Sequence, residues 1–150
     1  MSDYTVRPLG PDTWDAFAGL AERAALVLDG DLAVAWCQYG TTEELPNIYH
    51  RKQYEAETDQ WPDYRITCFF VDRAYRRRGM SVVALDGALR LIAQEGGGVV
   101  EAYPEDNGGR KTSASFLYNG TRSLFEQAGF SYVRPKGKKN CVMRRVVAGA

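Results

Sequence analysis

Long apolar segments, an export signal and metal-ligand spacings are all missing from this sequence. No apolar run approaches the roughly 20 residues that a membrane-spanning helix needs. The N-terminal stretch MSDYTVRPLG lacks the basic start and apolar core of a secretory signal. The cysteines Cys37, Cys68 and Cys141 lie far apart, without metal-ligand spacing. We therefore expect a cytoplasmic protein with reduced thiols, no bound metal and no membrane partner.

Two nucleotide-binding patterns are also missing, since the sequence holds neither G-x-x-x-x-G-K-[ST] nor G-x-G-x-x-G. What is present is a chain of 150 residues with 25% charged and 45% hydrophobic residues, which are ordinary globular values. This length is enough to bury a real core. We predict a single domain over residues 1–150.

The formal net charge of zero hides an uneven distribution of charge. Residues 1–63 carry twelve acidic and four basic residues, whereas residues 110–150 carry nine basic residues and one acidic residue. The basic end suits a polyanionic partner, or it is a solvated surface with no fixed partner. Few aromatic residues interleave with these charges and no nucleic-acid-binding motif is present, so we expect no nucleic acid.

Hydrophobic periodicity predicts the order strand, helix, two strands, long loop, strand, helix, strand, helix, strand, strand. The first helix falls near residues 12–21, and Asp29-Gly30-Asp31 between two apolar runs predicts a hairpin. The irregular segment 41–64 is typical of a lid or binding loop and includes NIYHRKQYEAE, a candidate short helix. Residues 65–103 form a strand–helix–strand unit with a parallel strand pair. The predicted fold is α/β (α+β), a sheet of about seven strands with helices on both faces.

The turn at residues 76–81 joins a buried strand directly to a helix. Amide groups at a helix start lack intrahelical partners and lie at the positive end of the helix dipole, so they bind phosphate groups. Gly79 lets the backbone approach closely, Ser81 adds a hydroxyl, and Met80 lies between them. Three guanidinium groups suited to bidentate phosphate contacts lie beside these residues: Arg76, Arg77 and Arg78. The turn predicts a diphosphate site, and the alternative is a helix start with exposed arginines.

This turn and its surroundings resemble the GNAT (N-acetyltransferase) superfamily. R-R-R-G-M-S is similar to the family's Q/R-x-x-G-x-G/A turn, and CFFVDRAYRRRGM is similar to the strand and turn that precede it. VVEAYPE and SLFEQAGF follow in the family's order, the latter similar to a helix end written L-Y-E-x-x-G-F. The resemblance covers about residues 24–147, and AWCQYG, TCFFV and VEAYPED are similar to an actinobacterial group of the superfamily.

The resemblance implies a GNAT-like mixed, mostly antiparallel sheet with a central, splayed parallel pair, and acetyl-coenzyme A as co-substrate without a metal. The pantetheine arm would lie along the backbone of Phe69, Phe70 and Val71, with the diphosphate on the amides of residues 76–81. Asn119 lies one position away from an asparagine that often contacts pantetheine. Basic residues near the 3′-phosphate would be Arg77, Lys111 or Arg122.

The resemblance also implies an N-acetyltransferase, in which an amine of a small molecule or peptide attacks the thioester directly in a ternary complex. Glu101 ranks first as the base, because its apolar flanks predict burial that raises a carboxylate pKa; the alternative is an ion pair with an arginine. His50 is a further candidate base, or a structural residue. Phe125, counted among the coenzyme A-binding residues, replaces the tyrosine that often protonates the leaving thiolate, so Tyr118 is kept as a substitute acid.

Several choices stay open. Cys68 is expected to act as a small hydrophobe rather than as an acyl carrier. Glu43 and Glu44 either attract a cationic acceptor or are solvated. The loop aromatics either line an acceptor pocket or anchor the loop: Tyr49, Tyr54 and Trp61. A coenzyme A-binding module without turnover is the alternative function, and a homodimer is left open as the oligomeric state.

Overall fold

The computed structural model describes residues 4–8, 23–46, 48, 50–106 and 117–150, and of residues 117 and 118 the backbone alone. The strands are β1 (Tyr4–Pro8), β2 (Ala24–Asp29), β3 (Leu32–Gly40), β4 (Tyr64–Val71), β5 (Gly98–Ala102), β6 (Leu117–Tyr118), β7 (Ser131–Lys136) and β8 (Asn140–Val147). The helices are α1 (Arg51–Glu57), α2 (Met80–Gln94) and α3 (Arg122–Gln127), and a 3-10 turn covers Arg73–Tyr75. The predicted helix near residues 12–21 lies outside the described residues.

The strands form one sheet in the order β1-β2-β3-β4-β5-β8-β7, and β6 pairs with β4 outside that order. The β4–β5 pair is parallel, whereas the other pairs are antiparallel. The mixed, mostly antiparallel sheet with a central parallel pair is therefore confirmed. So is the hairpin, which turns at Gly30 and Asp31 between β2 and β3. The two-residue strand β6 was not predicted.

Described helices cover both faces of the sheet, as predicted. Helix α2 repeats apolar residues at Leu85, Ala88 and Ile92, a helical spacing that faces the main core, and Phe125 of α3 joins the same core. Helix α1 covers the other face, where its Tyr54 packs in a separate apolar cluster. None of the helices that the described residues form is long and apolar enough to cross a membrane.

Candidate functional site

Three side-chain contacts shape the turn after β4, and one of them joins it to β2. The Asp72 carboxylate accepts a hydrogen bond from the Ala74 amide at 2.9 Å. The Tyr75 hydroxyl donates to Asp29, at the end of β2, at 2.7 Å. The Arg78 guanidinium lies over the Tyr75 ring, 5.2 Å from its centroid. The predicted diphosphate turn is therefore held against the sheet before α2 begins.

The backbone of this turn contains two residues in the left-handed region. The angle φ is 65° at Arg77 and 73° at Gly79, and such left-handed residues are uncommon outside glycine. Turns of this kind aim successive amide groups into one concavity. Gly79 is the N-cap of α2 and has no side chain with which to cap the helix. A Cβ built on Gly79 meets none of the described residues within 4 Å.

Strands β4 and β5 part after a short parallel stretch. Residues 64–66 of β4 pair with β5, whereas Phe69 and Phe70 pair with the two residues of β6. Thr67 and Cys68 lie between these two pairings. We call this interval the gap. The splay that the resemblance implied is present, and β6 closes its outer end.

The side chains of the predicted pantetheine strand are packed into the protein. Phe69 meets Phe125 edge to face in the main core, with ring centroids 5.9 Å apart, and neither ring has exposed surface. Phe70 faces the opposite side of the sheet and stacks on Trp36, with centroids 6.0 Å apart. These rings hold the strand in place, and what the strand has left to offer a ligand is its backbone.

A cavity of about 220 Å³ opens at the gap. Thr67 and Cys68 form part of its wall, together with the predicted residue Asn119. Cys68 is partly buried there, a small side chain in the wall. The described wall consists of Gln38, Leu45, Ile48, Thr67, Cys68, Tyr103, Asn119 and Lys136. The cavity therefore opens beside the middle of β4.

Glu101 has no exposed surface, and both of its carboxylate oxygens accept hydrogen bonds. Oε1 accepts from the Tyr54 hydroxyl at 2.6 Å and from the Tyr103 hydroxyl at 3.2 Å. Oε2 accepts from Arg144 through Nε at 3.0 Å and Nη2 at 2.7 Å. Glu101 and Arg144 are direct partners across β5 and β8, so the register of the sheet sets this contact. The predicted burial and the alternative ion pair with an arginine are both present.

Two further cations are buried on this face of the sheet. Arg65 and Lys136 are each only 2% exposed. Arg65 donates from Nε to the Tyr103 hydroxyl at 3.0 Å and from Nη1 to the Leu45 carbonyl at 2.7 Å. Burial, with a smaller contribution from nearby Arg65, lowers the pKa of Lys136 to about 8. Neither cation was predicted, because Arg65 begins an apolar strand and Lys136 belongs to the basic turn PKGKKN.

The segment before β4 packs over the polar cluster that Glu101 and Arg144 form with Arg65 and Lys136. Tyr54 is buried, and Trp61 meets its ring edge to face at 6.0 Å while remaining 54% exposed. His50 is the N-cap of α1 with φ of 57°, and its ring leaves no room for a Cβ on Gly137. Tyr54 and Trp61 therefore anchor the segment to the sheet, one of their two predicted roles.

Two charged candidates are engaged within the protein. Glu44 accepts from the Thr41 amide at 2.9 Å and pairs with Arg23 at 2.7 Å, and the hydrogen bond from Thr41, more than the pair with Arg23, lowers the pKa of Glu44. Arg122 pairs with Asp106 at 3.3 Å and with Glu126 at 3.4 Å. Neither side chain is therefore positioned primarily for a ligand.

Some predictions fall outside the described part of the chain. Lys111 and Tyr49 lie there, as do most residues of the predicted loop at 104–115. The backbone of Tyr118 pairs with Phe69, but its side chain is not described. Among the described residues, no group of three or more His, Cys, Asp or Glu side chains is arranged to hold a metal ion.

Solved structures share this fold, although no family model and no curated protein matches the sequence. The ribosomal-protein-S18-alanine N-acetyltransferase from Escherichia coli has a TM-score of 0.59 at 12% identity, over 98% of this chain and 96% of that one. Ard1 from Thermoplasma volcanium has a TM-score of 0.57 at 14% identity, over 96% and 97%. A Desulfovibrio desulfuricans protein described as an acetyltransferase of the GNAT family has a TM-score of 0.59 at 15% identity, over 97% and 99%. The similarity spans nearly the whole chain.

Proposed function

Because this chain has the GNAT acetyltransferase fold, we propose that it is an N-acetyltransferase that moves an acetyl group from acetyl-coenzyme A to an amine. The amine, of a small molecule or peptide, attacks the thioester directly while both substrates are bound. The observation that carries this proposal is the anion-shaped turn between β4 and α2, which follows directly on the gap between β4 and β5. That arrangement suits the pantetheine arm of acetyl-coenzyme A, which has the diphosphate at one end and the thioester at the other.

The turn suits a diphosphate without a metal ion. Its left-handed residues Arg77 and Gly79 shape the amide concavity, and the dipole of the 15-residue helix α2 adds positive potential. Arg78 is already oriented by its contact with the Tyr75 ring. Residues 76–81 therefore contribute backbone donors and guanidinium groups to the same charged ligand.

The pantetheine arm needs the edge of β4 that β6 occupies. Leu117 and Tyr118 pair with Phe70 and Phe69 over only two residues, and so short a strand adds little stability. We propose that these two residues leave β4 when coenzyme A binds, and that the amide groups of the arm replace their hydrogen bonds. Extended ligands add to an open sheet edge in this way.

Amide hydrogen exchange, measured by mass spectrometry, tests whether the pantetheine arm replaces β6. With saturating coenzyme A, the amides of Leu117 and Tyr118 are expected to lose protection while those of Phe69 and Phe70 keep theirs. Peptides from the β2–β3 hairpin serve as the internal control and should not change. If residues 117 and 118 become more protected instead, the arm does not use this edge.

Proton transfer has one route through described residues. A protonated amine must lose a proton before it attacks. Tyr103 lines the cavity, and its hydroxyl donates to Glu101. We propose that the proton passes through the Tyr103 hydroxyl to Glu101, whose other oxygen remains paired with Arg144. For the leaving thiolate, Tyr118 is the proposed acid, since Phe125 is buried and has no proton to give.

A coenzyme A-binding module without turnover is the second candidate. It is favoured by the same two features, the fully hydrogen-bonded Glu101 and the buried Phe125. In that case the turn and the gap bind coenzyme A, and the polar cluster is purely structural.

Binding and turnover measured on the wild-type protein separate the two candidates. We expect calorimetry to show saturable, one-to-one binding of coenzyme A, and a panel of amines to release free thiol from acetyl-coenzyme A. Absence of coenzyme A binding would overturn both candidates. Binding without thiol release or acetylated product across the panel would favour the module.

A further inference from the structure

Two buried positive charges beside the gap have no carboxylate partner among the described residues. Arg65 donates to two neutral oxygens, those of the Tyr103 hydroxyl and the Leu45 carbonyl. Lys136 Nζ lies 5.0 Å from the centroid of the Tyr103 ring. Burial and the charge of Arg65 lower the pKa of Lys136, and no described carboxylate raises it. Both residues are only 2% exposed, so bulk water screens their charges weakly.

The buried carboxylate of this cluster is matched by a different cation. Glu101 holds Arg144 by two hydrogen bonds, and Asp59, 3.6 Å from Arg144, is 80% exposed. Removing a charge from water costs several kcal/mol unless a counter-charge or hydrogen bonds compensate it. Lys136 and Arg65 therefore leave an excess of buried positive charge on this face of the sheet.

The cavity at the gap is where a counter-charge can enter. Lys136 is part of its wall, which also offers the polar groups of Gln38, Thr67 and Asn119. The described wall includes no acidic side chain. Its volume of about 220 Å³ lies below the range of roughly 300–1,000 Å³ for pockets that hold drug-sized ligands. The cavity therefore suits a small, negatively charged group.

We propose that the acetyl acceptor is an amino acid, an amine that also carries a carboxylate, and that this carboxylate binds in the cavity against Lys136. The inference rests on the proposed acetyl transfer, because the gap is where the amine would meet the thioester. A carboxylate suits the site better than a phosphate, because Lys136 supplies one charge while Arg65 is committed to Tyr103 and Leu45. The amide of Asn119 adds a donor for the second oxygen.

This arrangement makes acceptor binding dependent on pH. A carboxylate binds the protonated form of Lys136, whose pKa in the free protein is about 8. Affinity is therefore nearly constant well below pH 8 and falls as the pH rises through 8, by up to about tenfold per pH unit. The groups facing Lys136 keep their charge in this range, since Arg65 stays protonated and burial raises the pKa of Tyr103. Replacing Lys136 by arginine should remove the dependence.

Kinetics with matched acceptors test the proposal. Each α-amino acid and β-alanine is compared with its carboxamide, which has nearly the same shape but no negative charge. We expect the preferred amino acid to exceed its carboxamide at least tenfold in kcat/KM. Lys136→Met should abolish this preference, whereas Lys138→Met, an exposed lysine in the same turn, should retain it. Equal rates for the acid and the amide would overturn the proposal, as would a preference that survives in Lys136→Met.

Binding without turnover tests the same site independently of catalysis. The probes are the N-acetylated product of the preferred acid, or N-acetylglycine if no acceptor reacts, and the corresponding amide. They are titrated at pH 7 and pH 9.5 into wild type, Lys136→Met and Lys136→Arg. Only the acid should bind wild type, more weakly at pH 9.5, whereas Lys136→Arg should bind equally at both values. No difference between acid and amide would overturn the inference, even if coenzyme A binds.

Thermal melting shows whether Lys136→Met is folded. Because the substitution removes an uncompensated buried cation, its Tm without ligand should equal or exceed that of wild type. Coenzyme A binding, measured on the same samples, tests the proposed function separately. Loss of coenzyme A binding would reject acetyl transfer, whereas a failure confined to the carboxylate probes would reject only this inference.

Discussion

Gly79→Trp is expected to weaken coenzyme A binding by at least about 100-fold, which corresponds to about 2.7 kcal/mol. The indole would project from the N-cap of α2 into the concavity where the diphosphate must approach the backbone amides. The Cβ itself meets none of the described residues within 4 Å, so the substitution begins in open space. Isothermal titration with coenzyme A measures the effect, and thiol release should fall in parallel.

Gly30→Trp is the matched control for the backbone strain that Gly79→Trp introduces. Gly30 has φ of 62°, close to the 73° of Gly79, and a Cβ built there also meets nothing within 4 Å. Both substitutions therefore place tryptophan in a left-handed conformation, at a cost of roughly 1–2 kcal/mol. Gly30→Trp should lose stability to a similar extent but keep its affinity for coenzyme A. Unchanged affinity in Gly79→Trp would show that the turn is not the diphosphate site.

Glu101→Gln is expected to lower the free energy of unfolding by about 3–5 kcal/mol, the cost typical of breaking a buried ion pair. Glutamine keeps an acceptor for the hydroxyls of Tyr54 and Tyr103. Its amide nitrogen, however, would oppose the donors of Arg144, which the carboxylate now accepts at 2.7 and 3.0 Å. Chemical denaturation measures the loss, a large share of the roughly 5–15 kcal/mol that stabilises a typical domain.

An exposed ion pair provides the control for the loss of charge alone. Asp86 and Arg90 are paired on the surface of α2, with side chains 66% and 65% exposed. Asp86→Asn should therefore cost no more than about 0.5 kcal/mol. A Glu101→Gln effect of the same small size would show that the Glu101–Arg144 pair is not a buried structural contact.

The kcat of the folded Glu101→Gln fraction tests the proposed proton path. If Glu101 receives the amine proton through Tyr103, kcat should fall by about 100-fold or more and lose its dependence on pH. A structural role alone would leave kcat unchanged at a temperature where the variant is folded. This measurement requires an active acceptor, whereas the stability prediction does not.

Local pattern is enough to predict most of the framework of this fold. The hairpin at Gly30, the strand before the turn at 76–81 and helix α2 each depend on residues close in sequence. Their predicted order agrees with the structure, including the parallel pair that a strand–helix–strand unit produces. The position of the turn at residues 76–81 follows from the same local information, because it is the junction between two of these elements.

Contacts between distant residues explain what the sequence did not reveal. Glu101 meets Arg144 because β5 pairs with β8, 43 residues along the chain. The burial of Lys136 depends on a register shift between Tyr132 and Arg134 in the β7–β8 pair. A shift of this kind changes which side chains face inward, so simple alternation cannot assign the last residues of β7. Neither the Glu101–Arg144 contact nor the burial of Lys136 can be predicted without knowing how the strands of the sheet pair.

Strand β6 has a consequence for the protein in the absence of any ligand. A splayed sheet presents unpaired backbone groups, and exposed edges of this kind invite strand addition from other chains and aggregation. By pairing with Phe69 and Phe70, Leu117 and Tyr118 shield the outer part of that edge. Under the proposed exchange, β6 and the pantetheine arm cover it in turn. That part of the edge would thus stay covered against strand addition from other chains, both without and with coenzyme A.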